Sequence, residues 1–234
     1  MKYQIIGDSD CPVARIDLGT GERVRIERGS MVYSRDIDLE GQMNGGKGGL
    51  KGALGAIGRS LTAGESMFIT TATGSSDRSE IVIAPTVPGK IVELECGHAT
   101  QYRLNTGAFV ACDEGMGYRM VKQGIGKAFF AGTGGFFVME TNGEGIVLAS
   151  AFGDVIPVDV APDRPVTIDN EHVVAWDASL EYSVRVASGI FGFTTGEGLV
   201  NDFSGSGRVY IQTRSLQNMA HGLIPFLPDK TSNN

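Results

Sequence analysis

No stretch of this 234-residue chain approaches the ~18 consecutive apolar residues that a membrane-spanning helix needs. The first eleven residues hold one lysine and no long apolar core, so they do not read as a secretory signal. Positive charge is scarce. Twenty Lys and Arg against 27 Asp and Glu leave a net charge of −7, with a pI near 5.0. That disfavours a nucleic-acid binder relying on phosphate contacts, and it disfavours general attraction to anionic lipid. Cysteine is scarce too. Cys11, Cys96 and Cys112 cannot all pair and form no C-x-x-C unit, so the simplest compartment is reduced and cytoplasmic. Only glycine is in excess, with 34 residues, roughly twice the usual ~7%. Hydrophobic residues make up 41% and charged residues 20%, the balance of a folded chain rather than a disordered one. The length suffices for a sizeable core.

The strongest positive signal is internal similarity. Short β-rich runs at Val13–Leu18, Ile91–Leu94 and Val155–Val160 are each followed by a polar turn and a second run. The second runs are Val24–Tyr33, Tyr102–Ala111 and Val166–Ala175. In this register Ile26, Leu104 and Ile168 coincide, as do Gly29, Gly107 and Glu171, and Val32, Val110 and Val174. A third block opens at Gly64, Gly132 and Gly196 and leads into an apolar run, a Gly-bearing turn and a β-branched run. The expected domain spans 1–228. It comprises repeats 12–88, 89–152 and 153–217, an apolar segment 218–228 and a disordered tail 229–234.

Within each repeat the periodicity is that of strands. Val24-Arg25-Ile26-Glu27 alternates apolar and polar, as a half-buried strand does. Phe136–Thr141 and Ile146–Ser150 flank Asn142-Gly143-Glu144-Gly145 and read as a hairpin, since Asn-Gly supplies the positive φ of a primed turn. Leu199–Phe203 and Arg208–Thr213 read as a second. The predicted fold is all-β: three similar antiparallel modules around a pseudo-threefold axis, sharing one core because a single module would be marginal alone. The exception is 44–61, where Leu50, Leu54, Ile57 and Leu61 recur at helical spacing among Lys47, Lys51 and Arg59. This Gly-rich insert either touches a membrane surface or a partner, or packs as a short helix over its own module. Internal glycines cost about 1 kcal/mol each in a helix, so it needs packing to persist.

Candidate chemistry is sparse. His98, His172 and His221 lie in no zinc motif. His98 stands two residues from Cys96, and His172 beside Asp169 and Glu171 competes between a metal site and a hydrogen-bonded strand histidine. Glu65 and Glu197 occupy equivalent turns, with Thr133 in the third. They read as turn caps or as a carboxylate pair of the glycosidase kind. The glycines around them lead into strands, so they do not form a phosphate loop. Arg214 would hold an anion or an acidic neighbour. No nucleophile elbow or Ser/His/Asp set is present. The site assignment is therefore empty: no catalytic, cofactor-binding or metal residue is named, and no cofactor is expected.

Several segments carry a family resemblance. They are P-G-K-I (88–91), N-T-G-A-F-V-A (105–111), F-F-A-G-T-G-G-F-F (129–137), D-N-E-H-V-V-A-W-D (169–177), T-G-E-G-L-V (195–200) and G-x-V-Y-I-Q-T-R (207–214). Together they resemble the altered-inheritance-of-mitochondria protein 24 family over nearly the whole chain. Thr133 departs from the pattern, in which Glu is expected. The resemblance implies a fold similar to the tryptophan RNA-binding attenuation protein superfamily, related to double-stranded β-helices, and it implies homo-oligomers. Bacterial members have no established activity, and the mitochondrial member is linked to inner-membrane organisation. The expected function is thus a non-enzymatic, self-assembling scaffold or membrane-peripheral organiser in the cytoplasm, with possible membrane contact through 44–61. The alternatives are a small-ligand or RNA-binding module, with nucleic acid disfavoured by charge, and a hydrolase using Glu65, Glu197 or His172.

Overall fold

The computed structural model describes residues 1–7, 10–42, 69–105, 107–122, 137–187 and 198–227. The insert 44–61, Glu65, Thr133, Glu197 and the tail 229–234 lie outside the described residues.

Strands form where β-branched and apolar residues alternate with polar ones. The first group is β1 (Lys2–Ile6), β2 (Val13–Leu18), β3 (Arg23–Glu27), β4 (Met31–Arg35), β5 (Ile37–Gln42), β6 (Ile69–Gly74) and β7 (Ser79–Ile83). The second is β8 (Ile91–Cys96), β9 (Tyr102–Asn105), β10 (Phe109–Asp113), β11 (Gly117–Lys122), β12 (Phe137–Asn142) and β13 (Gly145–Ser150). The third is β14 (Val155–Val160), β15 (Val166–Asp169), β16 (Val173–Asp177), β17 (Glu181–Val186), β18 (Leu199–Ser204) and β19 (Gly207–Gln212). One helix, α1 (Leu216–Leu223), follows; Ser215 caps it by accepting the Asn218 N–H.

The strands assemble into four sheets, ordered β1-β2-β7-β4, β5-β6-β3-β10-β13-β8, β11-β12-β9-β16-β19-β14 and β15-β18-β17. Every pair among the described strands is antiparallel. The pairing corrects the predicted hairpins. β12 pairs with β11 and β9, whereas β13 pairs with β10 and β8. β18 and β19 likewise lie in different sheets. Gly143 and Gly145 do take positive φ, 119° and 141°, but the turn they make carries the chain from one sheet to the next. The long second runs are also each divided. Val24–Tyr33 becomes β3 and β4, Tyr102–Ala111 becomes β9 and β10, and Val166–Ala175 is broken by a 3-10 turn at Asn170–His172. His172 therefore ends a turn rather than sitting within a strand.

The expected single core is corrected as well: three clusters fill the spaces between successive sheets. Ile16, Val24, Ile26, Ile81 and Leu148 fill the space between the first and second sheets. Leu94, Leu104, Phe109, Met139 and Val174 lie between the second and third. Ile168, Trp176, Leu180, Phe203 and Val209 lie between the third and fourth. Outer-sheet strands bury one face, as β2 does with Ala14, Ile16 and Leu18. β10 and β16 bury consecutive residues, Phe109–Cys112 and Val173–Trp176, because their sheets are covered on both sides. Each of β4, β10 and β16 carries one register shift, between Met31 and Tyr33, Phe109 and Ala111, and Val173 and Ala175. The residues skipped are Val32, Val110 and Val174.

Beside the third core an ion-paired group closes the sheet face. Arg103 Nε donates to Glu140 Oε2 at 2.7 Å, and Arg119 donates to Glu140 Oε1. The Arg103 guanidinium also lies 5.3 Å from the Tyr182 ring centroid. Burial pushes the Glu140 carboxyl up, but the hydrogen bonds and charges of Arg103 and Arg119 outweigh it and hold it below the usual carboxylate range. A carboxyl depressed on folding adds stability above its unfolded value of about 4.3. That stability is lost as pH falls through the folded value. Urea midpoints measured from pH 7 down to 3 should therefore fall more steeply for the wild type than for Glu140→Gln below about pH 4.3.

Candidate functional site

The end of β3 and the turns that follow β9 and β15 border a cleft of about 360 Å³. Glu27, Asn105, Asn170, Glu171, Gln212 and Leu216 are among its walls. Its polar groups are held by the backbone. Asp169 Oδ1 accepts the Glu171 N–H at 2.9 Å and so caps the 3-10 turn. Gln212 Nε2 donates to the Glu171 carbonyl at 2.8 Å, and Gln212 Oε1 accepts from Phe152 N–H at 2.9 Å. Asn105 Nδ2 donates to the Val173 carbonyl at 2.8 Å. His172 Nδ1 lies 2.7 Å from the Gln212 carbonyl oxygen. A carbonyl only accepts, so Nδ1 carries the proton in this contact. Burial raises the Glu27 carboxyl above its ordinary value. The arrangement can seat a small polar molecule. Ser215 Oγ lies 3.5 Å from Glu171 Oε2, but it also caps α1.

The other sequence candidates are scattered. His98 is exposed and faces Glu144 at 2.9 Å, while Cys96 points into the core with its Sγ 3.7 Å from Thr141 Oγ1. The Cys96–His98 spacing therefore brings nothing together. Arg214 is exposed and makes no ion pair with any described residue. Among the described residues no three His, Cys, Asp or Glu side chains are grouped as a metal site. Cys11 is exposed and free; Cys96 and Cys112 are buried and free. Burial pushes the Cys112 thiol up to about 12. A thiol-disulfide reagent at pH 8 should therefore titrate Cys11 alone in the native protein, and all three cysteines in guanidinium. Rapid modification of Cys112 without unfolding would contradict its place in the core.

One surface was not found by sequence reasoning, and a second was expected from the sequence only as the apolar segment 218–228. On β4, Met31, Val32 and Tyr33 are exposed. Val32 is 55% exposed, whereas Val110 and Val174, at the corresponding skipped positions, are 0% and 1% exposed. The second surface is the chain end: Leu216, Met219 and Leu223 of α1 are exposed, and so are Ile224, Phe226 (85%) and Leu227. The sequence signal for α1 was Ser215 followed three residues on by Asn218, then Met219 and Leu223 four apart. No described helix is long and apolar enough to cross a membrane.

A family model described as Mitochondrial biogenesis AIM24 matches residues 3–214. An uncharacterized protein of Streptococcus pyogenes serotype M6 is 44% identical over 236 residues, a span covering all of this chain and 93% of that protein. The crystal structure of a Streptococcus pyogenes protein solved as a structural-genomics target superposes with a TM-score of 0.82 at 42% identity, covering 97% of this chain and 99% of that one.

Proposed function

This chain belongs to the AIM24 family, and from that premise we propose that it is a non-enzymatic, cytoplasmic β protein that assembles with itself and serves as a scaffold or membrane-peripheral organiser. The observation that carries the reading is unpartnered apolar surface: Met31, Val32 and Tyr33 on one strand, and Leu216 to Leu227 at the other end of the described chain. Such clustered exposure marks association sites in soluble proteins.

The same reading divides the chain into modules 12–88, 89–152 and 153–217, related by a pseudo-threefold axis in the manner of the tryptophan RNA-binding attenuation fold. The repeated strand order supports the division into three modules. Each module supplies six strands in sequence. The first, sixth and third of them pair side by side, as in β8-β13-β10 and β14-β19-β16. The fourth, fifth and second do likewise, as in β5-β6-β3 and β11-β12-β9.

Multi-angle light scattering during gel filtration tests assembly. The expected mass is an integral multiple of 24.8 kDa at micromolar concentration, and a strict monomer there removes the proposal. A second reading, a small-ligand module, draws on the Glu27–Gln212 cleft. A thermal-shift screen of amino acids and nucleotides tests it, and no shift with any of them removes it.

A further inference from the structure

We propose that the cleft between Glu27 and Gln212 binds a small primary ammonium ion with an apolar body, and that Glu27 receives the cation. This rests on the small-ligand reading of the cleft and names the chemistry of its ligand. Glu27, Glu171, Asn105 and Ser150 supply hydrogen-bond acceptors to the walls. No Lys, Arg or His stands among the described residues that line them.

The repeat shows what sets Glu27 apart. Ile26, Leu104 and Ile168 share one position, so the next residue is Glu27 in the first module, Asn105 in the second and Asp169 in the third. Asn105 Nδ2 donates to the Val173 carbonyl, and Asp169 Oδ1 accepts the Glu171 N–H. Both of those side chains are spent on the backbone of a turn. The Glu27 carboxyl is half-buried, and burial alone shifts it; no donor or cation among the described residues offsets the loss of water. A carboxylate so placed is destabilised in its charged form. An ammonium ion in the cleft would supply both the charge and the N–H donors that are missing.

Ser150 points the same way independently. It is 4% exposed and lines the cleft. Its N–H donates to the Ala108 carbonyl at 2.6 Å, which fixes its place at the end of β13. Its hydroxyl bonds to no described residue, yet it is not sealed from solvent as the unpartnered Thr71 Oγ1 is. The hydroxyl therefore opens on the cleft, where it accepts from an ammonium N–H. Gln212 is a fixed wall, since both ends of its amide are bound. Val87, Phe152, Val173 and Leu216 add carbon surface that shelters an alkyl or aryl body. A carboxylate on the ligand would face Glu27 and Glu171 with no cation to receive it. An amino acid thus binds through its ammonium group, but more weakly than the amine that lacks the carboxylate. No three His, Cys, Asp or Glu side chains are grouped here among the described residues, so the cation is organic rather than a metal ion.

Isothermal titration calorimetry on the full chain at low salt tests this with phenethylamine, phenylalanine and hydrocinnamate. Phenethylamine should bind saturably, and phenylalanine and hydrocinnamate at least about tenfold more weakly. Glu27→Gln should weaken phenethylamine at least about tenfold. Its melting temperature should stay at or above that of the wild type, because no partner is lost. Glu95→Gln, on the exposed face of β8, removes the same charge outside the cleft and should leave binding unchanged. An equal loss with Glu95→Gln would mean general attraction to an acidic protein and overturns the assignment. Binding that survives Glu27→Gln overturns it too. If hydrocinnamate binds and phenethylamine does not, the cation is wrong while the small-ligand reading stands. If no amine, acid, amino acid or nucleotide binds, both fall.

Discussion

Replacing Trp176 with alanine should lower the unfolding free energy by about 4 kcal/mol. Trp176, the only tryptophan of the chain, is completely buried on β16. Its ring meets Tyr182 edge-on at 5.1 Å and Phe203 at 5.5 Å. Around them Ile168, Leu180 and Val209 complete the third core. Truncation opens a void that these rings cannot fill without moving two sheets, which is the condition under which large-to-small changes cost most. Trp176→Phe separates packing from polarity. The indole Nε1 has no hydrogen-bond partner among the described residues. Phenylalanine therefore strands no acceptor, and it removes a donor whose burial is costly. The phenylalanine variant should lose less than about half of what the alanine variant loses. Urea unfolding followed by far-ultraviolet circular dichroism reads both, since the fluorophore is itself removed. A loss below about 1.5 kcal/mol for Trp176→Ala would mean that this core is not packed as described.

The sequence revealed strands more readily than their partners, for a physical reason. Alternation in Val24–Glu27 reports one buried face, which is a property of a single strand. Partner choice is a property of two distant strands and leaves little local trace. Gly143 and Gly145 illustrate this. Positive φ suits a hairpin and a sheet-to-sheet corner alike, so the turn chemistry was legible but the destination of β13 was not. Burial of β10 and β16 on both faces explains why their runs are continuously apolar. Val32 holds the position of Val110 and Val174 in the repeat, yet on β4 Met31, Val32 and Tyr33 are exposed, because exposure depends on which sheet covers a strand and not on its own pattern. In the cleft, Asp169 and Glu171 were visible as polar residues near His172. Their role in capping a 3-10 turn was hidden, because Val166–Ala175 also scans as a single strand. Gln212, which binds the Glu171 carbonyl and the Phe152 amide, drew attention only as part of a terminal motif.

The glycine excess can be resolved into two physical demands by comparing Gly89→Ala with Gly107→Ala. At Gly107, φ is +92° and an added Cβ would meet nothing within 4 Å. The cost there is that of a left-handed backbone for an L-residue, about 1–2 kcal/mol. At Gly89 an added Cβ would lie 1.9 Å from the Ala151 carbonyl oxygen and 2.5 Å from the Gly153 nitrogen. Both are backbone atoms and cannot swing aside. Gly89 forms a parallel bridge with Gly153. Three hydrogen bonds surround it: Lys90 N–H to the Gly153 carbonyl at 2.9 Å, Gly153 N–H to the Pro88 carbonyl at 3.0 Å, and Ala151 N–H to the Lys90 carbonyl at 3.0 Å. Relieving the overlap requires separating the chain entering β8 from the chain entering β14, at a net cost of about 1 kcal/mol for each bond lost. Gly89→Ala should therefore cost about 3 kcal/mol or more in urea unfolding, and Gly107→Ala about half that or less. Equal losses at the two positions would mean that the chains entering β8 and β14 do not approach this closely, and the glycines would then serve turn geometry alone.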